Sequence, residues 1–352
     1  MFFDLNVPIP ASQPSGPSTT ATQSKKGKAA AKQTHTQQPE SSFSQVQIAA
    51  IENHVELLIH LGYSAFAFNQ TVHKKLDPKA HQNHAQTLIS QLKRRPGVAF
   101  LKRITIILDE DSEKGFGLAS TSSAIFSGYD IIALTPTTPG TLSLACLTHS
   151  QPSALTAHVI SLPLTLPRLP FHLKHTLIRT AIKNGSVFEM NYSGAFGSDP
   201  DAFETASVTI KRNWWAAARE VIRVTKGKGV IVSGGITNEP DLRAPRDIIN
   251  LITMLNLAPD VAHDTMTKEP QALVLRAQTR NTYRAILSEP RLVIPGAQSQ
   301  PAPPPLQEAC IGPTSVPNSG TKRPFDVIGD TQNGSLSKTE SRANKKRKNK
   351  QR

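Results

Sequence analysis

Strand-like and helix-like patterns alternate through the middle of this 352-residue chain. That alternation predicts an α/β fold, built from right-handed strand–helix–strand units on a largely parallel sheet. Two further observations narrow it to a TIM-like (β/α) barrel. Seven short apolar runs read clearly as strands and an eighth reads weakly. About 250 residues have the composition of a folded core, which suits such a barrel better than an open doubly wound sheet.

The elements follow in order. "FFDLNV" is a short first strand. "SQVQIAAIENHVELLIHLG" places Ile48, Ile51, Val55, Leu58 and Ile59 on one helical face, with Gly62 suited to its C-cap. "SAFAFN", "KRITIIL" (102–108), "YDIIAL" (129–134), "AHVISL" (157–162), "GSVFEM" (185–190) and "GVIVSG" (229–234) are the later strands, most of them β-branched or aromatic. Helical patterns separate many of them, at 115–126, 138–148, 173–183, 204–226 and 245–256. In the helix at 204–226, Ile210, Trp214, Ala217, Ala218, Val221 and Ile222 recur at helical spacing and are expected to face the barrel. That helix ends at "TKGKG", where Gly227 or Gly229 can take a left-handed cap. Gly234 and Gly235 close the seventh strand, and Pro245 suits the first turn of the next helix. "NEPDLRAP" is therefore a βα loop, on the face where barrels carry function.

The formal net charge is +14, but its distribution says more. Residues 10–40 hold +3 and residues 322–352 hold +7, so two tails carry most of the excess. Both are rich in residues that cannot form a core. The expected organisation is a first barrel strand at 1–8, a disordered insert at 9–42, the rest of the barrel at 43–289 and a disordered basic tail at 290–352. Such a balance suits a polyanionic partner, with nucleic acid the natural one. Cys146 and Cys310 are the only cysteines, too few for a disulfide framework or a cysteine zinc site. "MFFDLNVPIP" lacks the features of a signal peptide, and no apolar run is long enough to span a bilayer. Lys345, Lys346, Arg347 and Lys348 form a compact basic run of the nuclear-import type.

Several stretches, in their order and spacing, resemble a known family. They are "FFDLNV", "LGYSAFAFN" (61–69), "LKRITIIL" (101–108), "YDIIALTP" (129–136), "LPFHLKHTLIRTAIKNGSVFEMNYS" (169–193), "KGKGVIVSGGITNEPDLRAPRDIINL" (226–251) and "ALVLRAQTRNTYRAIL" (272–287). Together they resemble the TIM-barrel protein subunit of nuclear ribonuclease P and RNase MRP. The resemblance implies a barrel related to metal-dependent phosphoesterases that serves as a non-catalytic partner of a catalytic RNA. It implies a role in 5′ maturation of precursor tRNA and in precursor rRNA processing. The implied partners are ribonuclease P RNA, MRP RNA, ferredoxin-like and other protein subunits, and precursor tRNA indirectly, with residence in the nucleus and nucleolus and no membrane. The chain departs from the pattern in its long insert and in Gly234-Gly235, where small hydroxylated residues are expected.

The rival reading is an independent metal-dependent phosphoesterase or nuclease of the same superfamily, and a third is a scaffold without RNA contact. Related phosphoesterases open with a His-x-His pair on the first strand, whereas this chain has Asp4-Leu5-Asn6. Asn is a poor ligand for a catalytic transition metal. Asp4, Asn6 and Glu189 are therefore read as buried polar groups that bond one another, with no metal, cofactor or catalytic residue assigned. His81, His84, His172 and His175 lack carboxylate partners at ligand spacing and are read as polar surface. "DEDSEKGFG" (109–117) lacks the ligand pattern of a calcium loop.

Candidates for RNA or subunit contact are basic. Arg212, Trp215, Arg219, Arg223 and Lys226 fall along a second face of the helix at 204–226, where a Trp could stack on a base while cations meet phosphates. Lys174, Lys228, Arg243, Arg246, Arg280 and Arg284 are the others, arginine being suited to bidentate phosphate contact. The plainer alternatives are Trp215 at the core edge and local salt bridges such as Arg243 with Asp241 or Asp247.

Overall fold

The computed structural model describes residues 1–10, 43–73, 81–109, 118, 123–198, 207–280 and 282. Met1–Arg291 forms one compact unit, and the second, Leu292–Arg352, lies outside the described residues. The expected disordered segments at 9–42 and 290–352 lie outside them too, apart from residues 9 and 10.

Seven strands make one sheet: β1 (Phe3–Pro8), β2 (Ala65–Val72), β3 (Ala99–Leu108), β4 (Ile131–Pro136), β5 (Val159–Ser161), β6 (Val187–Asn191) and β7 (Val230–Ser233). Each is parallel to the next in chain order. The helices are α1 (Gln45–His60), α2 (His84–Gln91), α3 (Ser123–Ser127), α4 (Pro139–Leu144), α5 (His175–Asn184), α6 (Ser193–Phe196), α7 (Ser207–Thr225), α8 (Pro245–Thr253), α9 (Pro259–Asp264) and α10 (Lys268–Thr279).

Strand alternation divides the core into two. One set, with Phe66, Phe68, Ile104, Ile106, Ile132, Leu134, Phe188 and Val232, packs beneath the helices. The other, with Phe3, Leu5, Ala65, Ala67, Leu101, Ile131, Ala133, Val159, Val187 and Ile231, fills the barrel. Alanines at three inward positions leave room for the larger neighbours in a narrow interior. α10 contributes Leu273 and Ala277 to that inward cluster. These residues pack with strand-starting side chains, so α10 plugs the N-terminal end of the barrel.

The expected eighth strand has no counterpart among the described residues. β7 turns back onto β1 instead. Gly235 N donates to Asn6 O at 2.9 Å, and Gly234 N to Asp4 Oδ1 at 2.9 Å, which makes the barrel nearly closed. Two helix expectations are also adjusted. Of 115–126, helix is described only from Ser123, while 110–117 and 119–122 lie outside the described residues. The helix expected at 138–148 is α4 followed by one π-helical turn, Ala145–His149.

The glycine-spaced turn after α7 behaves as its sequence suggests. Lys226, Gly227 and Gly229 all have positive φ. A Cβ on Gly227 would lie 2.5 Å from Leu257 Cδ1, so both backbone conformation and space require glycine there. α8 starts at Pro245.

A buried ion pair in the barrel and a basic stripe outside it

The upper barrel is filled by a polar network. Arg103, in the middle of β3, and Glu189, on β6, are both fully buried and pair bidentately. Two further guanidinium donors are used: Nε donates to Thr105 Oγ1 at 3.0 Å and Nη1 also to Leu5 O at 2.7 Å. Thr105 donates to Asn69 Oδ1, Asn69 to Asn6 Oδ1 and Asn6 to Asn191 Oδ1. Ser233 Oγ lies 2.5 Å from Glu189 Oε1 and 3.1 Å from Asn191 Oδ1, and its single proton serves the carboxylate at the shorter distance. Burial alone would push the Glu189 carboxyl up. The charge of Arg103, with hydrogen bonds from Arg103, Ser233 and Ser161, outweighs that and holds it below the usual carboxylate range.

This arrangement does not fit a metal ion. The oxygens of Glu189 are engaged by Arg103, and Asn6 Oδ1 by Asn69. A cation placed here would have to displace a guanidinium that already supplies the positive charge. Among the described residues, no three His, Cys, Asp or Glu side chains are grouped to hold an ion.

Asp4 stands apart from this network. The β1–β2 register shifts between Asp4 and Val7, so strict alternation fails there. Asn6 joins the lumen network, while Asp4 lies at the β1–β7 seam and accepts from Gly234 N and Asn6 N. Burial raises its carboxyl above the ordinary range, and those two backbone bonds only partly offset it. The seam also gives a reason for glycine at 234. A Cβ there would lie 2.5 Å from Asp4 Oδ2.

The basic candidates separate into three groups. Arg212, Arg219 and Arg223 lie exposed along α7, and Lys226 and Lys228 are exposed just beyond it. Opposite them on the same helix, Ile210, Trp214, Ala217, Ala218, Val221 and Ile222 are all buried, as expected. Trp215 is half-buried at the core edge, edge-on to Trp214, with the Arg219 guanidinium 5.9 Å from its ring. Arg223 is tied to Glu220 by two bonds of 2.8 and 2.7 Å. From Arg212 to Arg223 the helical part of this stripe runs about 17 Å down the side of the barrel. Lys226 and Lys228 therefore sit at the opposite end from Arg243.

At the other end, Arg246 and Lys174 are exposed, the latter just ahead of α5. Arg243 is half-buried, and the suggested salt bridges do not form. It donates instead to Pro240 O and Leu242 O, both at 2.8 Å, and stacks 4.6 Å over the Phe196 ring. The Asp241 carboxylate is taken by Ser198, which donates to its Oδ2. Tyr63 OH donates to Arg243 O, which fixes the loop further.

Arg280 is a correction. It is only 3 % exposed and donates to the carbonyls of Ala154, Phe126 and Tyr129. Those carbonyls lie just before β4 and β5, at the plugged end of the barrel, so Arg280 ties loops together and is not free to meet phosphate. Arg284 lies outside the described residues, as do Lys345, Lys346, Arg347, Lys348 and most of "DEDSEKGFG".

Two histidines also move inward. His81 Nε2 lies 2.7 Å from Tyr129 OH, and His84 packs edge-on to Phe43. His172 and His175 are exposed, as expected. His158 is 4 % exposed, and burial, with Arg280 and Arg276 nearby, pushes its imidazole down to about 3.

The sequence reading missed Arg103. Its signal was present: a cation within "LKRITIIL", spaced by two from Leu101 and Thr105, must share their face. A charge on an inward strand face requires a buried partner, and Glu189 has the same inward placement on β6.

Residues 1–282 match a protein family described as RNase P subunit p30. The chain is 31% identical to the mouse (Mus musculus) ribonuclease P protein subunit p30 over 248 residues, covering 68% of this chain and 85% of that protein. It is 28% identical to the probable ribonuclease P protein subunit 3 of Schizosaccharomyces pombe, covering 66% and 89%. To the ribonuclease P/MRP protein subunit RPP1 of Saccharomyces cerevisiae it is 27% identical, covering 69% and 79%. With a family match across residues 1–282, the chain belongs to the RNase P subunit p30 family.

Proposed function

We propose that this chain is a non-catalytic protein subunit of ribonuclease P, shared with RNase MRP. It supports RNA-catalysed 5′ maturation of precursor tRNA and precursor rRNA processing. Its partners are the RNA of each particle and companion protein subunits, ferredoxin-like ones among them. Family membership supplies the particle. The observation that carries the non-catalytic reading is the Arg103–Glu189 pair, which occupies the carboxylate a lumen metal would need. The isolated full chain is expected to hydrolyse neither precursor tRNA nor simple phosphodiesters in Mg²⁺ or Mn²⁺. Robust turnover that disappears in Asp4→Ala would establish the phosphoesterase reading instead.

RNA is met along the α7 stripe, where the exposed Arg212, Arg219 and Arg223, with Lys226 and Lys228 in the turn that follows, can track a phosphate backbone. Replacing Arg219, Lys226 and Lys228 together with Ala is expected to leave the melting temperature unchanged. In the reconstituted particle it is expected to reduce the salt dependence of RNA binding by about one counterion for each phosphate that no longer meets a cation. An unaltered slope would move the RNA interface off α7. Arg243 and Arg246 remain candidates at the other end, Arg243 mainly by shaping its loop.

The nucleus and nucleolus are the expected compartments, with Lys345, Lys346, Arg347 and Lys348 as the import signal. Deleting residues 342–352 is expected to shift free, tagged chain towards the cytoplasm. An unchanged distribution of unassembled protein would count against the signal.

A further inference from the structure

A groove of about 490 Å³ lies between the segment 166–173, which leads from β5 into α5, and the outer side of α7. Leu166, Leu169, Pro170 and Phe171 form one wall, and Ala216 and Ala217 the other. Leu166 is 44 % exposed and Ala216 is exposed as well, so apolar surface faces solvent within a depression. Isolated exposed leucines are ordinary, but an apolar depression of this size is a usual mark of a binding site.

The polar side chains that α7 contributes to the groove are already engaged. Asn213 Nδ2 donates to Thr165 O at 3.0 Å, and both Glu220 oxygens accept from Arg223. The rim is basic. Arg168 is exposed on one wall, Lys174 follows the lining residue Leu173, and Arg212 sits one helical turn before Ala216. Among the described residues, none of these three has an ion-pair partner. Glu220 is the one carboxylate lining the groove, and Arg223 neutralises it.

We propose that this groove docks a short segment of a partner protein, with about two or three large apolar side chains flanked by carboxylates. The apolar walls would take the side chains, and Arg168, Lys174 and Arg212 the acidic flanks. Charge alone would suit RNA equally, but the walls do not. Arg168 and His172 are exposed on one wall and could meet a base, but a nucleic-acid strand would leave Leu166, Leu169, Pro170 and Ala216 without apolar cover, whereas large apolar side chains of a peptide would bury them. The groove is thus distinct in chemistry from the Arg219–Lys226–Lys228 stripe.

The test places the photo-crosslinker benzoylphenylalanine at position 216 of the full chain in the assembled particle. The expected result is an adduct to another protein subunit, whose crosslinked peptide contains large apolar residues beside Asp or Glu. An adduct to RNA, to a second copy of this chain, or no adduct overturns the proposal. Ala216→Glu and Arg168→Glu, both at exposed positions, supply the second measurement. Each is expected to reduce recovery of that same subunit at least tenfold with no change in melting temperature. Unchanged recovery in both would also overturn it. Recovery of the particle RNA by the Arg219, Lys226 and Lys228 variant reports on the α7 reading separately, so either idea can fail alone.

Discussion

Arg103→Met is expected to destabilise the fold by about 3–5 kcal/mol, because it leaves the Glu189 carboxylate buried without its counter-charge. It also strips Leu5 O and Thr105 Oγ1 of their guanidinium donor. Arg103→Met combined with Glu189→Leu is expected to recover much of the stability, since removing both charges also removes their desolvation cost. Denaturant melts of the single and double variants measure this directly. The pH dependence carries an independent sign. In the wild-type protein the Glu189 carboxyl is held low, so its contribution is present above the ordinary carboxylate range. That contribution is lost as pH falls through the lower folded value. Without Arg103 burial dominates and the same carboxyl is raised, so the variant should gain stability on mild acidification. A single variant within about 1 kcal/mol of wild type, with the same pH profile, would mean that the lumen relaxes to hydrate the pair.

Trp214→Ala should cost a comparable amount, about 3–5 kcal/mol, as expected for deleting a large buried aromatic. Trp214 is fully buried, and its indole Nε1 donates to Asn191 O at 2.7 Å. The fold makes room for it at Gly194, where a Cβ would lie 2.7 Å from the indole Cδ1. This residue seats α7 against β6 and so positions the whole basic stripe. Trp214→Phe keeps most of the apolar volume and loses the N–H, so its cost should be nearer 1–3 kcal/mol, the penalty of an unpaired buried carbonyl. If thermal melting shows Ala no worse than Phe, the bond to Asn191 rather than packing fixes the helix. If RNA is met along α7 as proposed, either variant should weaken that binding without touching an exposed cation.

The sequence by itself determined the local elements and their order. Short apolar runs, most of them β-branched or aromatic, marked all seven strands, because a parallel strand covered on both faces needs apolar side chains on each. The buried face of α7 was readable residue by residue, since 3.6-residue spacing assigns Trp214 and Val221 to one side. The glycines after α7 and Pro245 at the start of α8 announced their own backbone conformations. What sequence could not supply was how chain-distant polar groups meet. Arg103 and Glu189 are 86 residues apart and pair only because the sheet curls until β3 faces β6 across the lumen. The shift in β1 that separates Asp4 from Asn6 is decided by pairing with β2 and by the seam to Gly234. Arg280 shows the same limit in reverse. At the end of a helix rich in polar residues it looks like a surface cation, and only the packing of α10 across the barrel's end turns it onto three backbone carbonyls. Local periodicity is a property of neighbouring residues, whereas the partner of a buried charge is set by closure of the whole barrel.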